Sequence, residues 1–104
     1  MSKHLEIYDC DDDYTLSTTT SVLVCTKPPS RNRKLILPPT VESVGTTIMI
    51  KRMFGHSATW YVVCVEGEDN LDGRRNGCYN LSNPYECVTI RCIPAVGWIV
   101  IASY

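Results

Sequence analysis

The residues of this 104-residue chain with chemistry available to them are six cysteines, two histidines and one aspartate-rich run. Thiolates at positions 10, 25, 64, 78, 87 and 92 could bridge, bind zinc or attack an electrophile. Structural zinc sites draw thiolate pairs from Cys-x-x-Cys turns, and the chain has no such pair. The closest spacing, Cys87 to Cys92, sets the two side chains on opposite faces of an extended strand. Those sulfurs can share neither a metal nor a bridge without a bulge. The six therefore read as free thiols packing as small hydrophobes, and a disulfide-stapled extracellular domain is the alternative.

Asp9, Asp11 and Asp13 occupy the first, third and fifth places of a calcium loop. Tyr14 stands where such a loop needs glycine and Thr20 where it needs a bidentate glutamate, so the run reads as a solvated acidic arm. His4 and His56 have no Ser, Cys or Asp in a recognisable catalytic frame. Lys27, Arg31, Arg33 and Lys34 form a compact basic loop, and Arg74 and Arg75 a second basic site. Guanidinium groups there could pair with sialic-acid carboxylates, sulfated glycans or an acidic patch on a protein partner. Trp60 and Trp98 lie in apolar runs and read as core or subunit contacts, with sugar stacking as the alternative. Asn80-Leu81-Ser82 fits a glycosylation acceptor, but without a secretory route it reads as an ordinary strand end.

The elements that must position these residues are strands. No window shows apolar residues at helical spacing, and Val, Ile, Thr and Tyr recur between Pro, Gly, Asn and Asp breaks. Strands are expected at 20–26, 34–37, 46–52, 59–65, 79–81, 86–93 and 98–103. Seven short strands suit a compact antiparallel β-sandwich or β-prism, one all-β domain over residues 14–104 preceded by the acidic arm at 1–13. Alternation buries Val88, Ile90 and Cys92 on one face, and Ile48 and Ile50 on another. The runs 61–65 and 98–101 are apolar on both faces and need cover beyond one core. Trp60, Val62, Trp98 and Val100 are accordingly the expected subunit contacts.

A formal net charge of -1 argues against non-specific nucleic-acid binding. The N-terminus lacks the apolar run of a secretory signal, and no stretch is long enough for a membrane span. Synthesis in a reducing compartment, without membrane insertion, is the expectation.

The order of the C-terminal motifs is informative. Leu35-Ile36-Leu37-Pro38-Pro39 leads through Gly45 to Ile48-Met49-Ile50-Lys51-Arg52; then come Leu71-Asp72-Gly73, Tyr79-Asn80-Leu81, Tyr85-Glu86-Cys87-Val88-Thr89-Ile90 and Gly97-Trp98-Ile99-Val100. This series resembles a small all-β domain of phage tail-fibre, head-fibre and large-virus surface proteins. The likeness spans roughly residues 14 to 103. Leu71 replaces the usual isoleucine, Gly97 abuts Trp98 without a spacer, and cysteine is unusually abundant. The resemblance implies a homotrimer on the virion surface, a capsid decoration or fibre head, made in the host cytoplasm. It implies no catalytic residue, cofactor or metal. The major capsid protein or a host-surface glycan would be its partner. A carbohydrate-binding β-sandwich using loop Arg and Trp residues is the second expectation.

Overall fold

The structure, a computed structural model, describes residues 5–103 and is all-β apart from one 3-10 turn at Thr40–Glu42. In chain order its strands are β1 (Leu5–Tyr8), β2 (Tyr14–Thr15), β3 (Val22–Cys25), β4 (Arg33–Ile36), β5 (Thr47–Arg52), β6 (Tyr61–Cys64), β7 (Asn70–Leu71), β8 (Arg74–Arg75), β9 (Cys78–Leu81), β10 (Cys87–Ile93) and β11 (Gly97–Ser103). All seven expected strands are among them. They form a seven-stranded sheet in the order β1-β3-β5-β10-β11-β7-β8 and a four-stranded sheet in the order β2-β4-β6-β9. One core lies between the layers, drawing Leu23, Ile48, Ile50, Val88 and Ile90 from the larger sheet and Leu35, Tyr61, Val63 and Leu81 from the smaller.

The first half of the chain alternates between sheets. β1, β3 and β5 are neighbours in the larger sheet, while β2, β4 and β6 are neighbours in the smaller one. Each strand therefore returns beside its predecessor only after a crossover, which makes the neighbours parallel. This corrects the antiparallel expectation. Every antiparallel pair includes a strand of the C-terminal half: β9 joins β6, β10 joins β5 and β11, and β8 joins β7, while β7 runs parallel to β11. Asp72 and Gly73 both have positive φ (53° and 77°), the two-residue hairpin turn for which Asp-Gly is suited. Gly97, with φ 97°, would set a Cβ 3.0 Å from the Asn70 carbonyl oxygen, so only glycine lets β11 leave its turn directly into Trp98.

The acidic arm expected over residues 1–13 is also corrected. Its first four residues, His4 included, lie outside the described residues. Leu5–Tyr8 form the edge strand of the larger sheet, in parallel register with β3. Alternation of Leu5 and Ile7 with Glu6 and Tyr8 suits that edge: Tyr8 is buried, while Leu5 and Ile7 point outward.

Inward alternation in β5 runs Ile48, Ile50, Arg52, and the arginine is as fully buried as the two isoleucines. Its Nε donates to the Phe54 carbonyl at 3.2 Å and Nη1 to that of Leu81 at 3.0 Å, while Nη2 donates to the Gly55 carbonyl. The guanidinium carbon sits 4.3 Å from the Phe54 ring centroid. Burial lowers its pKa, and the nearby Glu86 carboxylate opposes that shift. Glu86 is itself buried and accepts from the Tyr79 hydroxyl and, at 3.0 Å, from the Asn83 amide. Arg52 thus ties β5 to β9 in the opposite sheet and to the 53–60 loop. Replacing Arg52 by Ala is expected to cost about 3 kcal/mol or more, from carbonyls stripped of donors and the space left behind. Arg52→Lys should restore less than half of the loss, since an ammonium cannot reproduce the planar fork. Urea unfolding checks both, and a lysine variant as stable as the natural protein would contradict this role.

Candidate functional site

Parallel register gathers loops at one end of the molecule. Tyr8, Cys25 and Arg52 stand side by side where β1, β3 and β5 end, and Arg33 and Tyr61 side by side where β4 and β6 begin. Segments 9–13, 26–32 and 53–60 meet there. The Tyr61 hydroxyl lies 2.9 Å from the Cys10 carbonyl and 3.3 Å from that of Lys27, and burial pushes its pKa up. Thr59 Oγ1 donates to the Pro29 carbonyl, the Trp60 amide donates to Asn32 Oδ1 at 2.9 Å, and the Arg33 amide donates to the Trp60 carbonyl at 3.2 Å.

The basic loop is positioned by the acidic run. Asp11 Oδ1 accepts from the Ser30 amide and from Arg33 Nε, both at 3.0 Å, and Asp13 Oδ1 accepts from the Lys34 amide at 2.8 Å. These contacts use the carboxylates that a calcium loop would need. Arg33 is consequently taken up internally, its pKa pushed further up by Asp11. Lys27, Arg31 and Lys34 are exposed and, among the described residues, form no ion pair.

Arg74 and Arg75 do not join them. They form β8, five strand spacings from β3 in the larger sheet, about 24 Å at the usual strand separation. Arg75 pairs with Glu68 at 3.0 Å on an exposed surface, a contact that contributes about 1 kcal/mol at most.

The four expected subunit contacts fare differently. Trp98 has no exposed surface, and its indole N–H donates to the Pro38 carbonyl at 3.0 Å; it is a core residue of its own chain and unable to touch another. Val100 is half-buried against the same core. Trp60 and Val62 are half-buried on the outside of the smaller sheet and its end. The Trp60 indole N–H is buried without an acceptor among the described residues.

Among the described residues, apolar side chains are instead exposed on the outer face of the larger sheet. Its register lines up Leu5, Val22, Met49, Thr89 and Ala102 in one row across five strands, and Ile7, Val24, Lys51 and Cys87 in the next. Leu5 is 59% exposed, Ile7 63% and Met49 40%. In β11 the register slips opposite Thr89 and Ile90, leaving Ile101 as the unpaired residue of a bulge, 50% exposed. Such a slip leaves no mark in sequence, whereas alternation in β1 and β3 was a usable signal. At the other end, Val41, Val44, Val96, Glu68 and Asp69 line a groove of about 330 Å³, with the Asp69 carboxylate held by Thr40 through its amide (3.1 Å) and hydroxyl (2.8 Å).

No family model and no curated protein matches the chain.

The Asp11 contacts predict a pH response. Hydrogen bonds from Ser30 and Arg33 hold the Asp11 carboxyl at about 2. Since the ordinary aspartate pKa is about 3.9, the ordering of the 26–34 loop by Asp11 is complete above that pH and lost as pH falls through the lower value. The Ser30 amide chemical shift should therefore titrate with a midpoint near that of Asp11, and Asp11→Asn should flatten the transition. A midpoint at the ordinary aspartate value would contradict it.

Proposed function

We propose that the chain is a non-enzymatic structural domain of a virus particle, a capsid decoration or fibre-head component whose copies assemble as a homotrimer. The observation that carries the assembly part is the apolar row Leu5-Val22-Met49, with Ile7, Val24 and Ile101 beside it, on a sheet face that the described residues do not cover. A contiguous apolar patch of this kind favours association because burial removes it from water. The viral setting rests on the ordered motif series between Leu35 and Val100. On this reading the loops at the end of the sheets face away from the shared surface, and they contact the capsid or the host.

A carbohydrate-binding module is the second reading. It is favoured by the meeting of Trp60 with Asn32 next to exposed Lys27 and Arg31. A glycan array separates the two: sugar binding that disappears in a Lys27→Ala, Arg31→Ala variant supports the module and counts against a purely structural role.

Light scattering after size exclusion tests the assembly. The natural chain should run at three times its 11.7 kDa mass at micromolar concentration. Ile7→Glu with Met49→Glu should reduce it to one copy without unfolding it, because both side chains lie outside the core. A monomeric natural chain would overturn the proposal.

A further inference from the structure

We propose that Cys64 and Cys78 form a redox-active dithiol site that closes to a cross-strand disulfide. Cys64 is the last residue of β6 and Cys78 the first of β9, and the two are direct partners in the antiparallel ladder. Tyr61, Val63 and Leu81 turn into the core, so the alternate positions Val62, Cys64, Cys78 and Asn80 share the outer face. Opposed residues of antiparallel strands have Cα atoms about 4.5 to 5.5 Å apart, inside the range that a disulfide spans. Both thiols are free in this structure, Cys78 exposed and Cys64 half-buried. No other two cysteines are cross-strand partners among the described residues: Cys25 lies opposite Tyr8 and Arg52, Cys87 opposite Lys51, and Cys92 opposite Trp98. The pair also sits where the ladder ends and the 65–77 connection begins, so the backbone has room for the small approach that bonding needs.

Exposure sets the order of events. The Cys78 thiolate attacks one sulfur of oxidised glutathione, breaking its S–S bond and releasing one glutathione thiolate. Cys64 then loses its proton to solvent and attacks the Cys78 sulfur of the mixed disulfide, expelling the second glutathione. Two protein thiols are oxidised by two electrons, and one small disulfide is reduced to two thiols. Burial pushes the Cys64 thiol up while Lys34 on the adjacent strand draws it down, which suits a resolving rather than an attacking group. The closed bridge joins the two ends of the 65–77 connection, which carries Glu68 and Asp69 of the groove and the Arg74–Arg75 strand. None of this depends on assembly or on the viral setting.

Incubation of the folded chain in glutathione buffers of increasing oxidised fraction tests the site, with thiols counted after denaturation and bridges mapped by peptide mass. The expected result is loss of the Cys64 and Cys78 thiols into one crosslink joining their peptides, whatever adduct the exposed Cys10 carries. Cys64→Ser should instead stop at a stable glutathione adduct on Cys78, and Cys78→Ser should form no bridge. Retention of the Cys64 and Cys78 thiols, a crosslink from either to another cysteine, or a glutathione adduct persisting on Cys78 of the natural chain would overturn the proposal.

Discussion

One buried guanidinium holds the architecture together. Arg52 closes the inward series of β5, and its donors reach the carbonyl of Leu81 in the other sheet and those of Phe54 and Gly55 in the following loop. Desolvating such a charge is costly, and among the described residues no carboxylate pairs with it directly. Charge-assisted hydrogen bonds to carbonyls and the face of Phe54 compensate instead. Because Arg52 stands in register with Cys25 and Tyr8, the contact also fixes the level at which three chain segments leave the larger sheet. The loop cluster around Tyr61 is built on that level.

The alternating path between sheets shapes the surfaces. Three strands of the larger sheet come from the alternating half, and their outward apolar residues are Leu5, Ile7, Val22, Val24 and Met49, with Thr47 and Lys51 beside them on β5. The inner face of the same sheet is complete within one chain, where Trp98 is bonded to Pro38 and leaves nothing for a partner. The same chain therefore has one finished apolar face and one open one. At the loop end, the acidic and basic segments that look like separate binding features organise each other: Asp11 and Asp13 hold the backbone of 30–34, and Arg33 answers Asp11. Lys27, Arg31 and Lys34 remain as outward cations there.

Much of the fold was legible in the sequence because short strands between proline and glycine breaks carry a period-two signal. Val88, Ile90 and Cys92 turned inward together, as did Ile48 and Ile50. What escaped was non-local. Proline breaks such as Pro28-Pro29 announce a turn but not that the chain changes sheets, so parallel pairing was not foreseen. β1 was masked by the aspartates that follow it. Arg52 ends its strand with a charge, although its parity with Ile50 places it inward. Comparing cysteines near in sequence singled out Cys87 and Cys92, whereas the register brings Cys64 against Cys78 across a loop. The candidate site was half visible: the basic loop was found, but its neutralising aspartates and the open sheet face required the pairing.

The most direct test of the account asks whether the outer face of the larger sheet is covered in solution. Met49 sits in the middle of that face, 40% exposed in the isolated chain. Its oxidation by dilute peroxide, followed by mass spectrometry across a range of protein concentrations, should slow as concentration rises and copies associate over it. A rate of Met49 oxidation that stays constant from dilute to concentrated protein would contradict the account.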